Sequence, residues 1–332
     1  NNSFKLLFYT IMTFGLMMTI SSQSWMGAWM GLEINLLSFI PMMNNNKNLY
    51  STESTLKYFM IQAIASTMFL LSIILMMKLM NYWSYILFNV MMNLSLFIKM
   101  GMAPFHFWLP NIMKNMNWNN CLILITMQKI APMIMININK NLINLFYLMA
   151  IMSLMFGSLG GINQTNLQKL MAYSSINHMG WMMMSLTISK MIWVNYMLIY
   201  TLISTSIILN FKMMNLFSLN QMFSMNTKFI NKFISSMNLL SLGGLPPFLG
   251  FLPKWLLIQN LTSINMIMMS ILMIFSSLIT LLFYLRMMLS SILMSNYKFN
   301  IKLTKTINNN WSMMFNFINL TGLMTYSIIM YM

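Results

Sequence analysis

Long apolar stretches follow one another along almost the whole chain, separated by short polar segments. A helix that crosses the hydrocarbon core of a bilayer needs about 20 apolar residues. On that basis the pattern predicts about eleven membrane-spanning helices. They lie near residues 4–20, 25–43, 56–79, 82–109, 121–139, 142–161, 170–188, 191–218, 233–258, 264–292 and 312–332. The longest polar stretch, residues 296–310, is predicted to be a loop or an interfacial helix.

The composition supports lipid as the main solvent. Of the 332 residues, 59% are hydrophobic and only 6% are charged, and the mean hydropathy is +0.71. A soluble domain carries about 25% charged residues. The sequence also lacks the alternation of period two that is typical of transmembrane β-barrels. We therefore predict an all-α polytopic membrane protein, with residues 1–332 forming a single membrane domain.

The formal net charge of +16 raises the question of nucleic-acid binding. The lysines are scattered singly, however, without the basic stripe that nucleic-acid binding requires. They lie mostly between the apolar spans, and the chain has only two acidic residues, Glu33 and Glu53. We therefore expect no nucleic-acid partner, and anionic lipid headgroups are the expected counter-ions.

The lysine distribution also predicts an orientation. With the N-terminus on the first side, eleven lysines fall on that side and three on the other. The first group is Lys5, Lys47, Lys57, Lys114, Lys169, Lys212, Lys228, Lys232, Lys298, Lys302 and Lys305, and the second is Lys78, Lys140 and Lys190. By the positive-inside rule, the N-terminus faces the matrix or cytoplasm and the C-terminus faces the opposite side.

Redox chemistry within the chain is not expected. A single cysteine, Cys121, excludes an internal disulfide or a cysteine-ligated cluster. The two histidines, His106 and His178, are far apart in sequence and favour neither haem nor a metal centre. The 48 methionines are typical of a genome that reads ATA as methionine, as in animal mitochondria. The alternative is that methionine fills irregular cores.

One sequence pattern occurs twice. Gly-x-x-Pro-Phe-x-x-x-Leu-Pro is present at residues 101–110 and again at 244–253. Proline and glycine free backbone groups that lipid cannot satisfy, so such breaks persist only where they line protein or a water-filled cavity. The copies fall in the fourth and ninth spans, which are five spans apart. Because this number is odd, the two copies are predicted to cross the membrane in opposite directions. We interpret this as an inverted repeat of five helices, residues 1–139 and 142–292, followed by a terminal helix at 312–332.

Four charged residues are predicted to lie inside the spans: Glu33, Lys99, Lys129 and Lys254. A lysine at the centre of a membrane helix costs on the order of 2.5–3.5 kcal/mol, so an intramembrane charge is a candidate functional site. Burial disfavours the charged amine, which prepares such a lysine to take up and release a proton. Snorkelling to the interface is the alternative, and it suits Lys129 least because that residue is near the centre of its span.

Glu33 is expected to form a buried ion pair with a lysine opposite it, through which a charge could be passed on, and a purely structural pair with Lys99 is the alternative. Glu53 is expected in a solvated polar loop. His178 lies in a patch of serines, an asparagine and a tyrosine on an otherwise apolar span. A neutral imidazole there could relay protons, and a hydrogen-bonded structural histidine is an equal alternative.

Five segments resemble the NADH dehydrogenase subunit 2 family, whose members are antiporter-like subunits of respiratory complex I. These segments are residues 29–39, 99–108, 128–132, 163–181 and 243–255. The resemblance runs essentially from end to end and is greatest to insect members. It implies a multi-pass protein of the mitochondrial inner membrane, with eleven helices, the N-terminus in the matrix and the C-terminus in the intermembrane space.

The resemblance also implies roles for individual residues. Glu33 and Lys99 match the ion pair of the family, Lys129 its central lysine and Lys254 the lysine at its second broken helix. His178 and Lys169 match family positions whose role is less defined. At Gln168 the chain departs from the family, where a basic residue often stands.

The function expected from this resemblance is proton translocation as part of an NADH:ubiquinone reductase of translocase class 7.1.1. The chain itself is expected to bind no cofactor and no metal; NADH, FMN, iron–sulfur clusters and ubiquinone would act in partner subunits. The expected partners are neighbouring antiporter-like, small core and supernumerary subunits of the membrane arm. A stand-alone cation/proton antiporter and a structural membrane anchor are the alternatives, and the anchor leaves four mid-membrane charges unexplained.

Overall fold

Helices account for the regular secondary structure in the computed structural model, which describes residues 2–44, 48–78, 82–224, 229–293 and 314–323. In chain order they are α1 (Asn2–Ser21), α2 (Trp25–Met43), α3 (Leu49–Lys78), α4 (Tyr82–Met100), α5 (Trp108–Met113), α6 (Trp118–Ile125), α7 (Met127–Ile138), α8 (Ile143–Gly161), α9 (Leu167–Ile188), α10 (Lys190–Met213), α11 (Leu219–Ser224), α12 (Phe229–Gly243), α13 (Phe251–Ser263) and α14 (Ile267–Leu293). Residues 314–323 are also helical and are labelled α15. The all-α fold class is confirmed for this part of the chain.

Six helical stretches are long and apolar enough to cross a membrane within the described ranges. They are Ser3–Ser21, Leu49–Met77, Trp118–Ile138, Ile143–Gly161, Lys190–Met213 and Ile267–Leu289. The fourth and ninth predicted spans each divide into two shorter helices at the repeated pattern, α4 with α5 and α12 with α13. A polytopic membrane protein is therefore supported, and the number of eleven spans stays a prediction.

Several element boundaries differ from the sequence-based expectation. The fifth predicted span is interrupted at Thr126, between α6 and α7, because this residue has φ −107° and ψ −76°. A short helix, α11, lies in a segment that was not expected to be helical. The predicted polar loop at residues 296–310 lies outside the described residues, as do residues 312–313 and 324–332 of the last predicted span.

Local sequence signals explain several helix ends. The side chains of Ser24 and Ser189 cap α2 and α10 by accepting hydrogen bonds of 3.2 Å from Gly27 N and Ile192 N. Asn215 follows α10 and has a positive φ of 52°, which allows the chain to leave the helix.

The chain divides into two compact units, Asn1–Phe146 and Tyr147–Met332. In the first unit, α1 and α2 approach closely because two glycines meet at their crossing: a Cβ on Gly31 would lie 2.9 Å from Gly15 O. In the second unit, α8 and α9 approach closely at Gly157, where a Cβ would lie 2.5 Å from Asn177 N. Small residues at such positions let membrane helices pack backbone to backbone.

Candidate functional site: two helix breaks and their buried charges

The two copies of the repeated pattern form the same kind of helix end. Gly101 has φ +69° and ends α4, and Gly244 has φ +81° and ends α12. In the first copy Met102 N donates to Phe97 O at 3.1 Å, and in the second Leu245 N donates to Leu240 O at 3.4 Å. These hydrogen bonds span six residues and define a Schellman ending, in which glycine takes the left-handed conformation. The predicted breaks are therefore present at both copies.

The two breaks differ in what lies against the glycine. At Gly101 a Cβ would meet the side chains of Leu109 and Trp108, at 2.9 and 3.0 Å. At Gly244 it would meet Cδ of Lys254 at 2.9 Å and Nζ at 3.1 Å. The first break is therefore closed by apolar side chains and the second by a lysine.

Lys254 bridges the second break. It lies in the first turns of α13 and is 5% exposed, and its Nζ donates a hydrogen bond of 2.8 Å to Gly243 O at the end of α12. The last carbonyls of a helix lack partners within the helix and carry a partial negative charge, so they favour a cation. The ammonium also lies 5.5 Å from the centre of the Trp181 ring, which adds a cation–π contact. The charge is thus stabilised without an acidic residue.

Lys99 lies in the last turn of α4, beside the first break. Its buried ammonium has different surroundings from that of Lys254. Its Nζ makes no hydrogen bond to the described protein atoms and lies 5.9 Å from the centre of the Phe69 ring. The carboxylate of Glu33 is within electrostatic range of this ammonium, although the two do not form a contact ion pair. Glu33 Oε1 is itself buried and accepts no hydrogen bond in the described part of the chain. The structure therefore brings the two predicted charges into one buried region.

A hydrogen-bonded network beside these charges was missed by the sequence analysis. Gln128 Nε2 donates to Asn35 Oδ1 at 3.1 Å, and the Tyr58 hydroxyl donates to Gln128 Oε1 at 3.4 Å. The network joins α2, α3 and α7, and Gln128 directly precedes Lys129. Gln62 Nε2 of α3 donates to the Lys99 carbonyl at 3.2 Å. This gives a hydrogen-bond partner to one of the last carbonyls of α4.

A polar stripe on α3 could have revealed this network. Tyr58, Gln62 and Ser66 are four residues apart and all buried. Residues at this spacing lie on one face of a helix. A polar face directed into an apolar membrane protein indicates partners on neighbouring helices.

Lys129 lies in the first turn of α7 and is 1% exposed. The interruption at Thr126 precedes it, and Pro132 follows within the same helix. Proline lacks an N–H and removes the hydrogen bond to the carbonyl four residues earlier, which here belongs to Gln128. The lysine therefore lies between a local interruption at Thr126 and a proline that lacks one helix hydrogen bond, and neither feature is a Schellman ending like those of the two repeated breaks.

His178 lies in a cluster of hydroxyl groups in the second unit. Its Nδ1 is 2.9 Å from the Tyr196 hydroxyl, and its ring centre is 5.0 Å from that of Tyr200. Ser175 hydrogen-bonds the Tyr200 hydroxyl. A small cavity of about 10 Å³, lined by His178 and both tyrosines, borders Pro253 of the second break.

The remaining charged candidates are more peripheral. Lys169 is half-buried in the first turn of α9. Glu53 was expected in a polar loop, and this expectation was wrong: α3 begins at Leu49, so Glu53 lies in the helix and pairs with Lys57 one turn later. Both of these side chains are about half exposed, at 53% and 52%. No group of three or more His, Cys, Asp or Glu side chains that could hold a metal occurs in the described ranges.

Comparison with known proteins defines the class. The family model described as NADH:quinone oxidoreductase/Mrp antiporter, TM, matches residues 22–280. Two solved structures have similar folds, each with a TM-score of 0.82. One is respiratory complex I from Thermus thermophilus, 20% identical and covering 96% of this chain and 78% of that one. The other is an archaeal membrane-bound sulfane sulfur reductase, 16% identical and covering 97% and 73%. The chain thus has the fold of the membrane subunits of such complexes.

More similar relatives give the particular family. NADH-ubiquinone oxidoreductase chain 2 of Anopheles gambiae is 51% identical over 332 residues, which is 97% of each chain. The protein of the same name from Aedes aegypti is 50% identical over 333 residues, again 97% of each, and that from Locusta migratoria is 47% identical over 314 residues. This chain belongs to the NADH-ubiquinone oxidoreductase chain 2 family.

Proposed function

We propose that the chain is an antiporter-like core subunit of a proton-translocating NADH:ubiquinone oxidoreductase, translocase class 7.1.1. The observation that carries this proposal is the identity of 51% over 97% of both chains with a relative of that name. The oxidation of NADH and the reduction of ubiquinone would occur in partner subunits, which would hold FMN and the iron–sulfur clusters. This chain would supply a route for protons and bind no cofactor or metal of its own.

The proposed route uses the buried charges. In the first unit, the charges of Glu33 and Lys99 would influence each other electrostatically. Lys129 would take up and release the proton at the interrupted helix. Lys254 would act at the second break, where the Gly243 carbonyl stabilises its charged form. Uptake or loss of a proton by such a lysine changes the stability of charges near it in the same unit, as between Lys99 and Glu33. Burying a charged side chain in a membrane costs free energy, which supports a functional role for all four of these charged residues.

His178 and Lys169 have secondary places in this proposal. The Tyr196 hydroxyl beside Nδ1 of His178 gives the imidazole a partner with which to exchange a proton. Lys169, half-buried at the start of α9, would serve as an entry or exit group near the membrane surface.

The proposed architecture is eleven spans with two inverted five-helix repeats, residues 1–139 and 142–292. The matched Schellman glycines at equivalent positions of the repeated pattern support the relation between the two breaks. The chain would lie in the mitochondrial inner membrane with its N-terminus in the matrix and its C-terminus in the intermembrane space. Its neighbours would be antiporter-like, small core and supernumerary subunits, together with phospholipids such as cardiolipin.

Purification under mild conditions tests the proposal against a stand-alone cation/proton antiporter. A subunit should migrate with a large assembly that oxidises NADH, and the chain reconstituted alone should not exchange cations for protons. Cation exchange by the isolated chain, together with its absence from the NADH-oxidising assembly, would establish the antiporter instead.

A further inference from the structure

Helix α15 has a polar face that points into the second unit. Asn316 and Asn319 are 6% and 0% exposed, whereas Phe317 and Met314 are 68% and 60% exposed. The helix therefore turns its amide side chains inward and its apolar side chains outward. In lipid this arrangement favours helix association, because buried amides find hydrogen-bond partners on neighbouring helices.

The asparagines of α15 contact two other helices. Asn316 Oδ1 accepts from Asn238 Nδ2 of α12 at 2.6 Å and from Asn210 Nδ2 of α10 at 3.0 Å. Asn319 Nδ2 donates to Ser206 Oγ of α10. All of these residues are buried. These hydrogen bonds link α15 to α10 and α12, and loss of any of them would be costly because each leaves a buried amide group without a partner.

The same helix also contacts the backbone of the second break. Leu249 N donates to Asn319 O at 3.4 Å. A Cβ on Gly322 would lie only 1.9 Å from Leu249 Cδ1, so the glycine leaves the space that the leucine occupies. Leu249 directly precedes Gly250, the N-cap of α13. Helix α15 therefore touches both sides of the break, α12 through Asn238 and the approach to α13 through Leu249.

We propose that α15 is a clamp that sets the geometry of the second break, with Asn316, Asn319 and Gly322 acting as positioning residues for Lys254. Lys254 reaches from α13 to the end of α12, so its hydrogen bond to Gly243 depends on the relative position of these two helices. The first unit closes its break differently, with Trp108 and Leu109 of α5 against Gly101. The clamp rests on the proposed role of Lys254. It would make α15, a helix without charged residues, part of the translocation machinery.

A rescue experiment tests the clamp in the assembled complex. Gly322→Ala places its Cβ against Leu249, and we expect it to lower the number of protons moved per NADH oxidised by at least about twofold, because small displacements of reacting groups are costly. Leu249→Ala removes the obstructing atoms, so the double variant should recover the ratio of the natural protein. Phe317→Ala, on the exposed face of the same helix, is the matched control and should leave the ratio unchanged.

The outcomes separate the clamp from the proposed function. A Gly322→Ala complex that pumps like the control overturns the clamp, as does a double variant that recovers neither assembly nor pumping. If Gly322→Ala prevents assembly, recovery of both in the double variant supports the clamp. Lys254→Met, measured in the same preparations, tests the role of the lysine itself: normal pumping there overturns that role.

Cross-linking tests the contact without reference to activity. An ideal Cβ on Gly322 lies 3.4 Å from Leu249 Cβ, close to the separation of about 3.5–4.5 Å that a disulfide requires. Leu249→Cys combined with Gly322→Cys should therefore cross-link under mild oxidation in the complex. Phe317→Cys combined with Leu249→Cys is the control and should not. Failure of the first pair to cross-link would overturn the proposed contact even if Lys254 is required for pumping.

Discussion

Lys254 Nζ donates a hydrogen bond of 2.8 Å to the Gly243 carbonyl, eleven residues earlier in the chain. The lysine thus supplies a cation to the helix end that the break leaves open, and Gly244 supplies the space in which its side chain lies. The sequence pattern placed a lysine beside each break. The structure shows that the two lysines are stabilised differently, since Lys99 faces an acidic residue at a distance and Lys254 a backbone carbonyl.

Gly244→Ala should displace Lys254. The residue has φ +81°, which costs a non-glycine residue roughly 1–2 kcal/mol, and the new Cβ would lie 2.9 Å from the lysine side chain. We expect proton pumping by the assembled complex to fall. Gly27→Ala, away from the second break, is the control, because its φ is not positive and its nearest contact would be the Ser24 hydroxyl oxygen at 3.2 Å. Equal pumping by the two variants would contradict the role of the glycine.

Glu33→Gln should reduce NADH-driven proton movement, because it removes the charge that acts on Lys99. Glu53→Gln should leave proton movement unchanged and alter the free energy of unfolding by less than about 1 kcal/mol, because an exposed ion pair contributes little. Proton uptake by reconstituted vesicles compares the two variants directly. A loss of similar size in both would mean that removal of any acidic residue, rather than the position of Glu33, explains the defect.

Gln128→Leu should destabilise the first unit by about 1–3 kcal/mol, because it leaves the buried Asn35 amide oxygen without its donor. We also expect slower proton transfer, since Gln128 positions the helix that carries Lys129. Gln23→Leu is the control, because Gln23 is exposed in the loop between α1 and α2. Thermal denaturation followed in detergent measures the first effect, and unchanged stability of Gln128→Leu would exclude a structural contribution of the network.

Gly31→Ala should weaken the crossing of α1 with α2. Its Cβ would lie 2.8 Å from Thr19 N and 2.9 Å from Gly15 O, and backbone atoms cannot rotate away. Overpacking of this kind costs about 1–3 kcal/mol, and it would shift the helix that carries Glu33. Gly27→Ala meets only side-chain atoms, at 3.2 Å and beyond, and should cost less. A denaturation midpoint that is the same for both variants would argue against a tight crossing.

The fold class and the helix breaks could be predicted from sequence because each depends on a local property. Apolar stretches report burial in lipid, and Gly101 and Gly244 mark helix ends whatever surrounds them. The interruption at Thr126 could not be predicted in this way, since threonine permits helical and non-helical backbone alike. Glu53 was placed in a loop because polar residues surround it, although its pairing with Lys57 at four residues suits a helix.

The partners of the buried charges could not be predicted, because they depend on how distant segments pack. Nothing near Lys254 in sequence indicates that a backbone carbonyl, rather than an acidic residue, would stabilise it. Likewise Gln128 and Asn35 are far apart in sequence, and only helix packing brings their amides together. Such contacts require knowledge of the helix crossings as well as of the residue types.

Proton pumping by a Lys129→Met complex tests the central claim most directly. Lys129 is 1% exposed on an interrupted helix, and methionine keeps its length and apolar packing while removing the group that takes up a proton. Lys190→Met, at the exposed start of α10, is the control. We predict an assembled Lys129→Met complex in which NADH-driven proton movement is abolished or greatly reduced, and a Lys190→Met complex that pumps normally. Normal pumping by the assembled Lys129→Met complex would contradict the account.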